Sequence, residues 1–437
     1  MDTWTRRKFL TTSGVAGGVA LAAGATAWGV DELLATGSGQ PDSEASVLVL
    51  VTLYGGNDGL NTLVPAADSH YQDLRGDLAY EEKEVLPLGE GLGLNPGMGG
   101  LKKLWDERRL AVVRGVSYPK PDHSHFRSMA IWQTASPTGP VPSGWLGRWL
   151  DQAGDGDPLK GVSVGATLPP LMAGETTAGA AVRLGGQKLP DAWLDRCTAL
   201  SRVQQDAHPL LRRAGASLSD LVKVSASFGA GGERSPGPKG SPGPEQSQKS
   251  SEQSQESSAQ DPGEPRDDGE SDEGASAGGQ GGLGAQLDVV ARAIEAGVST
   301  RAYSVSLGGF DTHANEKATQ SRLLGGLDKD LTRFLARVRK SQAGRKVVVA
   351  VYSEFGRRPR ANASQGTDHG TSGPVFVLGE PVKGGFYGEQ PSLTDLTDDD
   401  LRTTTDFRDV YATLLRGVLG TEPEKILDGH SRSLAFL

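Results

Sequence analysis

The stretch "SVLVLVTLYGGNDGLNTLVP", residues Ser46–Pro65, joins a near-continuous apolar run to a glycine-rich polar segment. An apolar run without polar alternation is typical of a strand in the middle of a sheet, because both of its faces are covered there. The glycines after the run indicate a loop, and that loop contains Asp58. The stretch therefore predicts a central strand of an α/β sheet with a carboxylate just beyond its end.

The rest of the chain alternates between strand and helix patterns. Strands are predicted from the apolar runs at residues 110–116, 301–307, 346–353 and 373–379. Helices are predicted where apolar residues recur every three or four positions, at residues 125–135, 285–297, 324–338 and in the segment "DFRDVYATLLRGVLG" near the C-terminus. This alternation predicts an α/β fold with a mainly parallel sheet flanked by helices on both faces.

Polar residues adjoin several of these strands. In open α/β sheets ligands bind outside the carboxyl ends of the strands, so such residues are expected to converge. Carboxylates that converge repel one another and raise one another's pKa, and a divalent cation removes that conflict. Mixed Asp, Glu and His ligation suits Zn²⁺, Mn²⁺ or Fe better than Ca²⁺. We therefore expect a divalent metal ion, Zn or Mn, with candidate ligands Asp58, Asp311, His313, Glu354, Asp368 and His369.

The segment "GGFDTHANE", Gly308–Glu316, allows two interpretations. Polar residues in a glycine-rich loop are often turn formers, and a single His near a strand end is often structural. Gly308 and Gly309 suffice for a turn, however, which leaves Asp311 and His313 for another task. We interpret the pair as metal ligands, with a capped turn as the alternative.

The N-terminus has the pattern of an export signal. Arg6 and Arg7 precede Phe9 and Leu10, and a weakly apolar run rich in Gly and Ala follows. This pattern is typical of twin-arginine signals, so residues 1–35 are predicted to be a signal segment recognised by the twin-arginine translocase. A membrane anchor is the alternative, but the Gly and Ala content makes a poor lipid-facing helix. We expect a secreted protein with no stable membrane anchor after cleavage.

One internal segment differs in composition from the remainder of the 437 residues. Residues 229–282 contain none of the large apolar residue types and hold 11 Asp and Glu residues against 4 Lys and Arg, which accounts for most of the net charge of −9. Such a segment cannot bury a core and is predicted to be a disordered insert. The expected organisation is one domain over residues 44–437 interrupted by this insert. No basic stripe indicates nucleic acid as a partner.

Several motifs together resemble the bacterial family known as domain of unknown function 1501. They are "LYGGNDGLNTLVP", "HSHFRSMAIWQT", "GWLGRWLD", "GGFDTHANE", "SEFGR" and "GTDHGTSGPVFVLG". That family is similar to the alkaline phosphatase and sulfatase superfamily. The resemblance implies a fold of that type and a metal-dependent hydrolase of phosphate or sulfate esters, carried by a small molecule or a polymer. The alternative is a non-catalytic exported binding protein with a degraded site.

The resemblance also implies residue roles. Ser124, at a helix start, corresponds to the nucleophile of the superfamily, with His125 as an acid–base group or ligand and Arg127 facing the ester anion. Asp58 corresponds to the metal-binding Asp after the first strand. Two alignments compete for the later Asp–His pair: one uses Asp368 and His369, and the other uses Glu354 with Phe355 in place of the His. The second leaves one metal position short of a ligand.

Overall fold

The computed structural model describes residues 26–39, 45–153, 156–184, 282–341 and 343–437. Within these ranges the strands are β1 (Thr26–Gly29), β2 (Val47–Leu53), β3 (Leu63–Val64), β4 (Leu86–Gly89), β5 (Leu92–Leu94), β6 (Leu110–Ser117), β7 (Gly161–Val164), β8 (Ala180–Arg183), β9 (Ala302–Leu307), β10 (Val347–Ser353), β11 (Arg357–Ala361), β12 (Thr367–His369), β13 (Gly373–Leu378), β14 (Gly385–Tyr387), β15 (Leu396–Thr397), β16 (Asp400–Leu401) and β17 (Thr405–Asp406).

The α-helices of the same ranges are α1 (Val30–Ala35), α2 (Ser69–Arg75), α3 (Gly99–Asp106), α4 (His125–Thr134), α5 (Trp145–Ala153), α6 (Leu283–Glu295), α7 (Glu316–Val338) and α8 (Phe407–Leu414). Among the described residues, none of these helices combines the length and the apolarity that crossing a membrane requires.

The central sheet has the strand order β1-β8-β7-β9-β2-β10-β13-β6-β14, with β17 paired to β6. Every neighbouring pair is parallel except the two that involve β13, which runs antiparallel to both β10 and β6. The predicted α/β fold with a mainly parallel sheet is therefore confirmed, and β13 makes the sheet mixed. The stretch that begins at Ser46 supplies β2, which lies between β9 and β10.

Helices cover both faces of the sheet, as expected. Along β2 all seven residues are buried, and alternate side chains enter two separate cores. Val49 packs with residues of α3, α6 and α7 on one face, whereas Leu50 packs with residues of α4, α5 and α8 on the other. Burial of each such side chain contributes about 1.5–3 kcal/mol, which explains why the run contains no polar alternation.

The structure describes part of the predicted signal segment and almost none of the predicted insert. The signal segment was predicted to extend to residue 35, but the structure places Thr26–Gly29 in the sheet, paired in parallel with β8, and Val30–Ala35 in a helix. The remaining part of that segment, residues 1–25, and residues 229–281 of the predicted insert lie outside the described residues.

Candidate metal centre

Four polar side chains meet at the carboxyl edge of the sheet. Asp311 and His313 lie in the loop after β9, His125 begins α4 beyond β6, and His369 ends β12. Three distant segments of the chain therefore supply the group, which is called the histidine–aspartate cluster below. Its position agrees with the general location of ligand sites in open α/β sheets.

Asp311 lies at the centre of the cluster. Its Oδ1 atom is 2.9 Å from His313 Nε2 and 3.1 Å from His369 Nε2, and its Oδ2 atom is 3.6 Å from His125 Nε2. Burial by itself would raise the pKa of Asp311, but the neighbouring His125, His369 and Arg357 side chains hold that pKa far below its ordinary range. The central carboxylate is therefore ionised.

The ring of His369 has one orientation because of a backbone contact. Its Nδ1 atom lies 2.9 Å from the carbonyl oxygen of His123, and since a carbonyl only accepts, Nδ1 must carry the hydrogen. In the neutral ring Nε2 then has a free lone pair, and this atom faces Asp311. This is the tautomer and anchoring that metal-ligating histidines commonly show.

His125 is anchored in the same way by a carboxylate. Its Nδ1 atom donates to Glu354 Oε1 over 2.8 Å, and among the described residues its buried Nε2 atom has no hydrogen-bond partner. Burial would lower the pKa of His125, but the carboxylates of Asp311 and Glu354 raise it to about 9. Without a cation the ring is therefore protonated, and its Nε2 atom is aimed at Asp311 without a close acceptor.

His313 is the most exposed imidazole of the cluster. Its Nε2 atom lies 3.0 Å from His369 Nε2, while its Nδ1 atom is 3.7 Å from Asp368 Oδ1, which is too long for a hydrogen bond. Burial and the nearby Arg357 guanidinium lower the pKa of His313, which favours the neutral ring. His313 therefore presents a neutral nitrogen to the cluster but is not held by an anchor on its other side.

The cluster has the chemistry of a transition-metal site. Ligand atoms of His125, Asp311 and His369 all lie within 4.8 Å of one another. Nitrogen and oxygen ligands lie about 2.0–2.2 Å from Zn²⁺, so ligands of one ion lie about 3–4 Å apart. The unpartnered buried Nε2 of His125 is a second indication, because a buried polar atom normally has a partner. These residues fit a divalent cation.

Arg357 is a buried arginine that contacts the central carboxylate of the cluster. This buried residue pairs across the β11–β12 hairpin with His369 and donates to Asp311 Oδ1 over 2.5 Å. Its other hydrogen bonds go to His313 Nε2, over 3.4 Å, and to the carbonyls of Gly55, Gly56, Phe310 and Thr367. Its donors are thus engaged within the protein, and Arg357 acts as a fixed positive charge beside Asp311.

The glycine-rich loop after β2 contributes backbone rather than a ligand. Gly55 donates its N–H to Glu354 Oε1 and accepts from Arg357. It has φ of 114°, and a Cβ atom there would collide with the backbone nitrogen of Asp311. The loop therefore needs glycine at this position for its conformation and for its close approach to the cluster.

Asp58 forms a buried ion pair with Arg75. Its two carboxylate oxygens accept hydrogen bonds of 2.6 and 2.7 Å from Arg75, and both side chains are fully buried. Burial would raise the pKa of Asp58, but the Arg75 guanidinium holds that pKa below its ordinary value. The structure does not bring this carboxylate into the histidine–aspartate cluster, because its lone pairs are directed at a guanidinium.

A second carboxyl group adjoins this ion pair. Glu316 Oε1 lies 3.8 Å from Arg75 Nη1, and Glu316 Oε2 accepts from the Thr367 hydroxyl over 2.5 Å. Burial, and then the negative charge of Asp58, raises the pKa of Glu316 to about 9. One guanidinium thus neutralises one carboxylate, and Glu316 remains protonated at neutral pH.

Glu354 and Asp368, the alternative ligands in the two alignments, each lie next to the Nδ1 atom of a cluster histidine. Glu354 contacts His125 Nδ1, the Gly55 N–H and the Ser353 hydroxyl, so neither of its oxygens is without a donor. Asp368 accepts from Asn362 and lies beside His313. Phe355 packs its ring against His125 and His369 at centroid distances of 4.8 and 5.0 Å.

The other predicted catalytic residues lie at the N-terminus of α4. Ser124 is the N-cap, and its hydroxyl accepts from the Arg127 N–H over a long 3.5 Å. Arg127 Nε lies 3.5 Å from Asp122 Oδ2. The residues on either side of Ser124, His123 and His125, both contact the cluster, so this serine lies beside it. Among the described residues, the Ser124 hydroxyl makes no hydrogen bond to the cluster.

Sequence reasoning missed Arg75 and Arg357. Arg357 is the last residue of the "SEFGR" motif, three positions after the candidate ligand Glu354, and this proximity was a usable signal. Arg75 had no such signal, because its pairing with Asp58 depends on how α2 packs against the loop after β2.

The chain is thus an α/β protein with a candidate metal centre at the carboxyl edge of its sheet. Residues 240–433 match the family described as "Protein of unknown function (DUF1501)". The matched residues include the motifs "GGFDTHANE", "SEFGR" and "GTDHGTSGPVFVLG", so the match agrees with the resemblance predicted from the sequence. No curated protein matches the chain.

Two solved structures are distantly similar to the chain. One is a protein in the alkaline phosphatase superfamily from Vibrio parahaemolyticus, with 10% identity and a TM-score of 0.41 over 99% of this chain and 80% of that one. The other is a 2-O GAG sulfatase, with 10% identity and a TM-score of 0.32 over 90% of this chain and 76% of that one.

Proposed function

We propose that the protein is a metal-dependent hydrolase whose metal ion is held by His125, Asp311 and His369, with His313 beside them. One observation carries the proposal: three Nε2 atoms converge on one ionised carboxylate, and one of these nitrogens is buried without a partner. Most buried polar atoms have a hydrogen-bond partner, which makes this nitrogen a candidate ligand atom.

The donor set favours Zn²⁺ or Mn²⁺. Imidazole nitrogens suit transition metals, whereas Ca²⁺ and Mg²⁺ are bound mainly by oxygen. A divalent cation bound here would act as a Lewis acid and would neutralise negative charge on the substrate. The protein's own residues fix the geometry, since Glu354 and the His123 carbonyl hold two of the rings in place.

The proposed substrates are phosphate or sulfate esters. The resemblance of the motifs to the alkaline phosphatase and sulfatase superfamily supports this class. The N-terminus of α4 also supports it, because the helix begins at His125 within the cluster and the positive end of a helix favours anions. Ser124 is the candidate nucleophile, since it is exposed and lies between two residues that contact the cluster.

A specific observation favours the second candidate, a non-catalytic binding protein. Asp58 and Glu354, which resemble metal ligands of the superfamily, are both saturated with donors from the protein. A site altered in this way would retain an ion and an anionic ligand without turnover.

Metal analysis and turnover distinguish the two candidates. The purified protein, equilibrated with Zn²⁺ or Mn²⁺ and desalted, is analysed for bound metal and assayed with p-nitrophenyl phosphate and p-nitrophenyl sulfate. Metal with turnover supports the hydrolase, provided that Asp311→Asn, purified in parallel, loses both. Metal without turnover supports the binding protein, and absence of metal contradicts both proposals.

Export is also part of the proposed function. The twin arginines and the Gly- and Ala-rich run at the N-terminus support passage through the twin-arginine translocase. We therefore propose that the protein acts outside the cytoplasm on esters that are present there.

A further inference from the structure

A second metal ion at this edge of the sheet would need Asp58 and Glu354 as ligands, and neither carboxylate is available to it. Asp58 would have to supply one of its ligands, but both of its oxygens are bound bidentately by Arg75. The pair is fully buried, so an ion would have to displace a guanidinium inside the protein. Removing one partner of such a pair is strongly unfavourable.

Glu354 would have to supply another ligand, and it is equally occupied. Its Oε1 atom accepts from Gly55 N–H over 2.9 Å and from His125 Nδ1 over 2.8 Å. Its Oε2 atom accepts from the Ser353 hydroxyl over 2.9 Å. The carboxylate is completely buried, and its contact with Nδ1 directs the opposite ring nitrogen of His125 toward Asp311.

We propose that the centre holds a single metal ion and that Glu354 is a positioning residue, which orients His125 toward that ion instead of binding a second one. This inference rests on the proposed metal site. The fixed guanidinium of Arg357, 2.5 Å from Asp311 Oδ1, supplies positive charge on the side of the carboxylate that faces away from His125.

The first test is the metal stoichiometry of the full-length protein. The protein is equilibrated with excess Zn²⁺, passed through a desalting column and analysed by mass spectrometry for zinc per chain. We expect one ion. Two ions would overturn the inference but leave the proposed hydrolase standing, whereas no ion would overturn both. This measurement requires no variant, so it does not depend on the folding of a substituted protein.

The second test separates positioning from ligation by a pair of variants. Glu354→Gln keeps an oxygen that can accept from His125, so we expect Zn²⁺ affinity to fall by less than about tenfold. Glu354→Ala removes the acceptor, and loss of such partners typically costs about 10–100-fold in metal affinity. Affinity is measured by competition with a chromophoric chelator, and folding is checked by circular dichroism.

The visible spectrum of the Co²⁺-substituted protein shows whether Glu354 binds the metal ion directly. If Glu354 positions His125, Glu354→Gln keeps the wild-type visible absorption band in shape and intensity. If Glu354 is a ligand, the same variant changes that band or reduces the stoichiometry, and the inference is wrong. Equal Zn²⁺ affinity of the wild type and Glu354→Ala would also overturn it. Asp58→Asn is the matched comparison and should retain one ion per chain.

Discussion

His369 Nε2 lies 3.1 Å from Asp311 Oδ1, although the two residues belong to different segments, the end of β12 and the loop after β9. The contact exists because His369 is paired across the β11–β12 hairpin with Arg357, which also donates to Asp311. One guanidinium therefore sets the distance between a candidate ligand nitrogen and the central carboxylate, and the predictions below depend on this arrangement.

Asp311→Asn should abolish the stabilisation of the folded protein by Zn²⁺. An ion that binds only the folded state adds about 2.7 kcal/mol at a hundred times its Kd, so the wild type should melt at a higher temperature with Zn²⁺ than with a chelator. The amide retains an oxygen for Arg357 but removes the charge that the ion requires. Differential scanning fluorimetry with and without Zn²⁺ measures the gain.

The control for this experiment is His70→Ala, because His70 is exposed and pairs with Asp68 away from the cluster. It should keep the full Zn²⁺-dependent gain. A wild type that gains no thermal stability from Zn²⁺ or Mn²⁺, or an Asp311→Asn variant that gains as much as the wild type, contradicts the metal site.

His313→Ala should weaken Zn²⁺ binding less than His125→Ala. The ring of His125 is buried and anchored through Nδ1 by Glu354, whereas that of His313 is half-exposed and has no hydrogen bond to Asp368. An unanchored ligand loses more conformational freedom on binding, so it contributes less net affinity. Chelator competition on both variants checks the order, and a larger loss for His313→Ala would contradict it.

The sequence predicted the elements of the fold well because the signal is local. The apolar run of β2 and the helical spacing of α6 and α7 reflect burial along one segment, and each appears where expected. Asp311 lies at the carboxyl edge because it follows the parallel strand β9, whereas His369 lies there because it precedes β13, which runs antiparallel to its neighbours.

The partners of the polar residues were not predictable in the same way. Asp58 and Glu354 look alike in sequence, because each is a carboxylate that follows an apolar strand. In the structure, however, Asp58 pairs with Arg75 and Glu354 pairs with His125. Which donor reaches a carboxylate depends on the packing of α2 and α4 against the loops. The spacing of residues along the sequence does not predict that packing.

Asp58→Asn should lower the free energy of unfolding by about 3–5 kcal/mol, because it leaves the Arg75 guanidinium buried without its main counter-charge. The double variant Asp58→Asn with Arg75→Gln should lose less than the sum of the two single variants, since no lone charge remains. Urea unfolding of the four proteins gives the coupling free energy. Additive losses would mean that the pair does not interact as the 2.6 Å contact indicates.

Replacing Arg6 and Arg7 together by Lys should stop export, because the twin-arginine receptor recognises the pair and not the charge alone. The variant should accumulate in the cytoplasm at the expense of the extracellular fraction, as judged by fractionation and immunoblotting. A single Lys8→Arg change is the control and should be exported normally. Unchanged export of the double variant would exclude the twin-arginine route.

Glu316→Gln should change how stability depends on pH. The folded-state pKa of Glu316 is raised to about 9 from the ordinary 4.5 by burial and by Asp58. The protonated group therefore contributes stability that is fully present below about pH 4.5 and is lost as the pH rises through about 9. Glutamine resembles the protonated form at every pH, so the variant escapes this loss.

The free energy of unfolding of Glu316→Gln minus that of the wild type should therefore rise between pH 5 and pH 8, by up to about 1.4 kcal/mol per pH unit. Other groups titrate in this range, but they are common to both proteins and cancel in the difference. The depressed pKa of Asp58 acts only at lower pH. Urea unfolding at four pH values measures the difference, with Glu82→Gln, an exposed position, as the control that should show no trend. A flat difference for Glu316→Gln would mean that Glu316 is ionised in the folded protein and that Arg75 neutralises both carboxylates.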